Sequence, residues 1–266
     1  RASTAPLVTV VSILYNKRNE VRFFLEALRR QDFAGPFEVL LVNDCTADDS
    51  VAIVEDFEKQ RADGAVGGVE MSVRIISNDK NMGNCASRNR AIAEAKGDIV
   101  VIVDADCMLN QSYVSDHFRA HAYGDCDAAI GPMNIETNDA PALGVLARYE
   151  ADATLAAATA QMQDRVNVDH FVNCVTRNFS ISKKFIAERL GGELFDNAFA
   201  YSRDPQSGFG WEDVEMGCRL YKAGARIRNL PTTFSIHVSH PSTTDERTKP
   251  LRSLKNFRRL HEKHSD

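Results

Sequence analysis

The sequence predicts an α/β fold with a mostly parallel, Rossmann-like sheet, helices on both of its faces, and a smaller mixed part toward the C-terminus. Three observations predict it. Over residues 6–106, β-branched apolar runs alternate with stretches of helical periodicity. The apolar runs are nearly continuous, as expected of strands covered on both faces. Each run then stops at polar residues, so polar groups from distant parts of the chain should meet outside the carboxyl ends of the strands.

The elements follow in order. "PLVTVVSILYN" is a strand ending in Tyr15 and Asn16, and "EVRFFLEALRRQ" is the helix after it. "FEVLLVNDC" is a second buried strand, ending in Asn43 and Asp44, and "ADDSVAIVEDFEKQ" is a helix with acidic residues in its first turn, where the helix dipole favours them. "VRIISND" is a third strand. "CASRNRAIAEAKG" is a helix for which Gly97 is the expected C-cap, and "DIVVIVDAD" is a strand delivering Asp104 and Asp106. Beyond residue 125 the pattern loosens. "CDAAIGPMNIE" reads as one strand, "APALGVLARYEADATLAAATAQMQD" as a long helix or two, and "FVNCVTRNFSISKKFIAERLGG" as a strand leading into a helix. A Gly-rich segment enters another helix near Glu212, and "IRNLPTTFSIHVSHPS" supplies late strands. With no internal repeat and no clear linker, one domain over 1–266 is expected. Residues 1–107 form its nucleotide-binding half, 108–245 its acceptor and metal half, and 246–266 a basic C-terminal helix.

Composition narrows the function classes. The 266 residues carry a formal net charge of −5, so no global basic field points to nucleic acid as a partner. Six cysteines lack any C-x-x-C pair, which argues against a zinc ribbon or a redox motif and for reduced thiols. No apolar run approaches the length of a membrane span, so the expected location is the cytoplasm. Membrane association stays open through the basic C-terminal run, which could dock on an anionic surface or a partner, or lie as a solvated end helix. The chain begins at Arg1 rather than Met and could be a piece of something longer. The sequence sets no oligomeric state.

Several residues carry candidate chemistry. Two aspartates spaced i, i+2 just past a strand can reach one hard cation, Mg²⁺ or Mn²⁺, completed by phosphates and water; they could equally cap a turn. Gly83 in "NMGNCASRN" sits in a tight turn, with Asn81 as its stabilising partner and Arg88 as a donor toward a nucleotide. Glu212 and Asp213 open a helix, where they could cap it or handle protons. Trp211 and Phe209 beside them could stack on a sugar or pack the core.

Taken together, "VVSILYNKR", "LLVNDCTADDS", "NMGNCASRNRAIAEAKGDIVVIVDADC" and "GWEDVEMGCRLYKAGARI" resemble, in order and spacing, the inverting glycosyltransferase family 2 with its GT-A fold. The C-terminal half is similar to galactosyl- and N-acetylgalactosaminyltransferase-like domains, including bacterial chondroitin-polymerase-type modules. The resemblance implies a metal-dependent transfer of a sugar from a UDP-sugar to a hydroxyl of a saccharide or glycoconjugate acceptor, in polysaccharide biosynthesis. It implies that Asp44 bonds the nucleotide base, flanked by Tyr15 and Asn16, although Asn43 and Cys45 depart from the usual D-D-G-S. Asp106 would hold Mn²⁺ or Mg²⁺ directly, and Asp104 would reach ribose or the metal through water. His237 would be a further ligand, with His240 as its rival. Asp213 would be the base and Glu212 a hydrogen-bonding partner of a sugar. A sugar-nucleotide nucleotidyltransferase is the enzymatic alternative, disfavoured because "LYNKRNEVRF" lacks the glycine-rich loop of that class. A non-catalytic nucleotide- or carbohydrate-binding module is the other.

Overall fold

The computed structural model describes residues 7–64, 68–123, 125–131, 135–137, 144, 171–202, 204, 206–238, 240 and 247–265. In chain order the first half contains β1 (Val8–Leu14), α1 (Val21–Arg29), β2 (Phe37–Asn43), α2 (Ser50–Ala62), β3 (Met71–Ser77), α3 (Asn84–Glu94) and β4 (Ile99–Ile102). There follow β5 (Cys107–Leu109), α4 (Tyr113–Tyr123), β6 (Ala128–Ile130), β7 (Ile135–Thr137), β8 (Phe179–Ser182), α5 (Lys183–Arg189), α6 (Glu212–Lys222), β9 (Ile227–Asn229), β10 (Ser235–Val238) and α7 (Lys249–Lys263).

A seven-stranded sheet has the order β3-β2-β1-β4-β8-β6-β9. Its first four strands run parallel, β8 is antiparallel to both β4 and β6, and β9 pairs parallel with β6. Alternate residues of each strand serve opposite faces. Val8, Val10 and Leu14 pack with Phe24, Leu25 and Leu28 of α1 and Tyr113 of α4. Val11, Leu40, Val42, Val100 and Ile102 pack with Ile92 of α3, Ile186 of α5 and Met216 and Leu220 of α6. Both faces are covered, so each of these side chains contributes about 1.5–3 kcal/mol of burial, and a polar residue there would need its own partner. Glu38 has such partners, accepting from Thr9 Oγ1 (2.9 Å), Lys96 N (2.9 Å) and Arg74 Nε (3.1 Å).

A second sheet, β5-β10-β7, lies beyond the end of β4. The sequence reading of 126–136 as one strand is corrected: the run is split into β6 and β7, which belong to different sheets. Gly131 follows β6 where any Cβ would overlap the Asn178 side chain at 2.0 Å, and its N–H donates to Asn178 O. The helical segment expected over 140–164 lies outside the described residues except for Gly144, which is helical.

The basic helix forms as α7 and packs inward. Asn256, fully buried, donates to Phe199 O (3.0 Å) and Gly210 O (2.8 Å). Lys263 pairs with Asp196 (2.6 Å) and the buried Glu215 (2.7 Å). Leu251 and Leu254 face outward. Among the described residues no helix is long and apolar enough to cross a membrane.

Gly97 is not the C-cap of α3. The helix ends at Glu94 and Ala95 is already extended. Gly97 is required instead because an added Cβ would meet Val8 C at 2.6 Å and Thr9 N at 2.7 Å, while its N–H donates to Thr9 Oγ1. Both atoms are backbone of a central strand and cannot give way. Gly97→Ala is therefore expected to destabilise the protein by about 1–3 kcal/mol, the scale of overpacking. Urea unfolding checks this; an unchanged midpoint would contradict the close approach.

Candidate active site

The parallel strands end together, and the loops after them are tied to one another. At the end of β1, Tyr15 is half-buried and Asn16 is left-handed (φ 53°). Asn16 N donates to Thr46 Oγ1 (2.7 Å), and Asn16 Oδ1 accepts from Ala47 N (2.9 Å). At the end of β2, Asn43 Oδ1 accepts from Thr46 N (2.9 Å), closing the turn. Cys45 holds the left-handed conformation (φ 62°) usually given to glycine, so the non-glycine residue here carries local strain.

Asp44 is engaged within the chain itself. Its Oδ1 accepts from Asn78 Nδ2 and Met82 N (both 2.8 Å), and its Oδ2 from Asn81 Nδ2 (2.8 Å) and Gly83 N (3.0 Å). Four donors fill the lone-pair sites of a carboxylate, and a ring N–H would have to displace one of them. Asp44 organises the turn before α3. Asn81 is the turn-stabilising partner expected, and Gly83 (φ 81°) lies against Tyr201 O.

That turn launches α3, which places Arg88 in the crevice with a side chain only 5% exposed. Arg88 Nη2 donates to Asp104 Oδ1 (3.2 Å), and Nη1 lies 3.9 Å from Glu212 Oε1. Its guanidinium also lies over the Phe195 ring, 5.4 Å from the centroid. Burial opposes its charge, yet Asp104, Asp213 and Glu212 hold its pKa above the ordinary value.

The two aspartates after β4 part company. Asp104 faces arginines: Arg88, and Arg177 Nε at 3.7 Å. Asp106 faces the other way, because the chain turns at Asp104 O···H–N Cys107 (3.1 Å) and enters β5. β10 pairs with β5, placing His237 opposite Cys107, and Val238 N donates to Asp106 O (2.9 Å). His240 Nε2 is then 2.9 Å and His237 Nε2 3.6 Å from Asp106 Oδ2. Asp106, His237 and His240 each offer a ligand atom, all within 4.8 Å of one another. The metal-capable group is thus Asp106 with both histidines. Asp104 is not one of these three and is paired with Arg88 and Arg177. Burial alone would raise the Asp106 carboxyl, but hydrogen bonds from His237 and His240 and the Lys17 charge hold it well below the usual carboxylate range.

Glu212 and Asp213 open α6. Asn84 Nδ2 donates to Glu212 Oε1 (2.8 Å), and Thr176 donates to Asp213 Oδ2 through N (3.2 Å) and Oγ1 (3.3 Å). Among the described residues, nothing donates to the buried Glu212 Oε2 or Asp213 Oδ1. Burial and the neighbouring Asp213 charge push the Glu212 carboxyl up to about 7. Burial also raises Asp213, against the pull of Arg88. Trp211, half-buried, is held by α7. Its indole N–H donates to Ser253 Oγ of α7 (2.9 Å) and its ring packs on Phe257 at 5.0 Å. Trp211 thus joins α7 to the start of α6.

Sequence reasoning missed Lys17 and Arg177. Lys17 Nζ is 2.6 Å from Asp106 Oδ2. Lys17 obeys the strand-end rule already in use, directly following Tyr15-Asn16, whereas Arg177 lies at the amino end of β8 and reaches the crevice because β8 runs antiparallel to β4, with Phe179 opposite Ile102.

The doubly wound sheet with strand-end carboxylates defines a GT-A architecture. Residues 9–185 match the family model described as Glycosyl transferase family 2, and the chain belongs to that family. It is 24% identical over 264 residues to chondroitin synthase of Escherichia coli, a match covering 90% of this chain and 36% of that protein. The match to the Bacillus subtilis (strain 168) glycosyltransferase YfnE, at 21% identity, covers 88% of this chain and 65% of that one, so the chain spans about one to two thirds of these relatives. The fold is also that of Staphylococcus aureus TarS 1-349 in complex with UDP-GlcNAc (TM-score 0.61, 20% identity, 88% of this chain, 59% of that one). The mannosyltransferase PcManGT of Pyrobaculum calidifontis, in complex with GDP-Man and Mn²⁺, is likewise similar (TM-score 0.65, 16% identity, 97% and 64% covered).

The raised Glu212 carboxyl has a sign that can be measured. Between its ordinary value of 4.5 and about 7, the folded protein holds a proton there that the unfolded chain has lost, so this residue's contribution to stability falls as pH rises. Glu212→Gln removes that effect. The Tm of the variant relative to the parent should therefore increase from about pH 5 to about pH 8. A difference that stays flat or shrinks over this range would contradict the burial of an ionisable Glu212.

Proposed function

We propose that the chain is a metal-dependent, inverting glycosyltransferase that transfers a sugar from a UDP-sugar to a hydroxyl of a saccharide or glycoconjugate acceptor. The observation that carries this reading is the placement of Arg88. One buried guanidinium joins Asp104, at the end of β4, to Glu212 at the start of α6. A donor bound at the strand ends and an acceptor bound at α6 would then meet in one crevice. The nucleotide sugars in the TarS and PcManGT complexes support a donor of this class.

In the reaction, an acceptor hydroxyl oxygen bonds to the anomeric carbon as the bond from that carbon to the UDP oxygen breaks, on the opposite face. Asp213 Oδ1, buried and without a donor among the described residues, takes the hydroxyl proton, while Thr176 holds Oδ2 in place. A carboxylate is a weak base toward an alcohol, but the proton leaves only as the new bond forms, so position matters more than basicity. Glu212, poised near neutrality, can donate to or accept from a sugar hydroxyl. Asp106, His237 and His240 would hold the divalent cation, whose charge would offset that building on the leaving diphosphate. A ligand set with two imidazoles suits Mn²⁺ better than Mg²⁺. Nucleotide-sugar binding is assigned to the half ending near Asp106, and acceptor binding to the part that follows.

The test separates chemistry from binding. Asp213→Asn keeps the shape but not the proton acceptor, so the folded variant should bind UDP-sugar with Mn²⁺ normally and lose about 10²-fold or more in kcat. Asp106→Ala should instead lose the Mn²⁺-dependent part of UDP binding. Parental kcat in Asp213→Asn would remove that residue from the mechanism. Full turnover in excess chelator would contradict metal dependence, and a product with retained anomeric configuration would contradict single displacement.

A further inference from the structure

Lys17 occupies an unusual position. Its Nζ lies 2.6 Å from Asp106 Oδ2 and 2.6 Å from His240 Nε2, and these two acceptors are themselves 2.9 Å apart. Hydrogens on the imidazole cannot satisfy this triangle. An Nε2 that donates to Asp106 has no lone pair for Lys17, and one that accepts from Lys17 has no proton for Asp106, so in that second tautomer two lone pairs face each other at hydrogen-bond distance. Converging lone pairs of this kind are stable when a cation sits among them, and the ammonium of Lys17 supplies it.

The backbone that carries Lys17 is fixed. Lys17 N donates to Ser50 Oγ (2.9 Å), and Val21 N donates to Lys17 O (2.9 Å). On either side, Asn16 N is held by Thr46 and Arg18 N by Asp48 Oδ2 (2.9 Å). The loop after β1 is thereby fastened to the loop after β2. What remains adjustable is the four-carbon stem of the side chain, which can carry the ammonium from one anion to another without a backbone shift.

We propose that Lys17 is a placeholder cation. It neutralises Asp106 in the nucleotide-free protein, competes with a divalent ion for the same lone pairs, and turns to the nucleotide diphosphate when metal and nucleotide bind together. The inference rests on the reading of Asp106, His237 and His240 as metal ligands. Its consequence is coupling. The divalent ion alone binds weakly because the Asp106–Lys17 pair must first open, and the diphosphate relieves that cost by giving the ammonium a new partner. Linkage makes the effect reciprocal, so metal and nucleotide each tighten the other's binding.

The experiment is a titration of the full chain with Mn²⁺, without nucleotide and then with saturating UDP, following free Mn²⁺ by electron paramagnetic resonance. Lys17→Met keeps the apolar stem and removes the charge. It should bind Mn²⁺ without nucleotide about tenfold more tightly than the parent, or better, and the factor by which UDP tightens Mn²⁺ should shrink. Lys17→Gln, neutral and polar, should behave in the same way, and Lys17→Arg should stay close to the parent. Thermal unfolding with and without Mn²⁺ gives a second readout, since the ion should stabilise Lys17→Met more than the parent. Equal or weaker Mn²⁺ binding in both neutral variants would overturn the proposal. Asp106→Ala in the same titration separates the two layers. Mn²⁺ binding unaffected by Asp106→Ala contradicts the metal site itself, whereas loss in Asp106→Ala with no gain in Lys17→Met contradicts the placeholder alone.

Discussion

A buried arginine sets the electrostatics of this crevice. Removing a guanidinium from water is costly unless anionic partners surround it, and Arg88 meets that requirement from two directions. Asp104 comes from the end of β4 and Glu212 from the start of α6, 108 positions later in the chain. Without Arg88, the carboxyls of Asp104, Glu212 and Asp213 would face one another, with Arg177 at the rim offsetting Asp104. With it, Glu212 and Asp213 can remain buried, close together and partly unsatisfied, which is how reactive carboxyl groups are held.

The rest of the fold holds that arrangement still. Asp44 uses its whole acceptor capacity to shape the turn that launches α3 and hence Arg88. Asn84, in the first turn of α3, fixes Glu212 Oε1 and also accepts from Tyr201 N (3.0 Å). At the far side, Asn256 of α7 holds Gly210 O, and Trp211 is fastened to Ser253 and Phe257. The left-handed Gly210-Trp211 pair (φ 67° and 70°) is therefore braced from outside the crevice, and α6 starts at a defined point. A strained junction of this kind persists when its surroundings over-determine it.

The parallel half of the sheet was legible because continuous apolar runs, helical periodicity and polar strand ends are local signals. The resemblance of four motifs in order pointed to Asp106 and a late histidine, and the structure brings Asp106, His237 and His240 within reach of one another. What could not be read was the division of labour within the crevice. Whether two aspartates at i, i+2 act together depends on the turn between them and on the register of β10 against β5, the second of which joins residues far apart in the chain. That Asp44 also accepts four hydrogen bonds within the chain could not be read, because the loop that supplies them is closed by residues up to 39 positions away. Gly97 resembled a C-cap because position alone does not report φ. That α7, distant in sequence, takes the Trp211 indole N–H could not be read either.

The role assigned to Arg88 can be measured as a coupling energy. The parent, Arg88→Met, Glu212→Gln and the double variant form a cycle, unfolded by urea at about pH 8, where Glu212 is mostly charged. If the guanidinium is what permits the buried carboxyl, Glu212→Gln should relieve part of the damage done by Arg88→Met, with an interaction energy of about 1 kcal/mol or more. Effects that add to within about 0.5 kcal/mol would contradict it, and the carboxyls of α6 would then owe their burial to something other than Arg88.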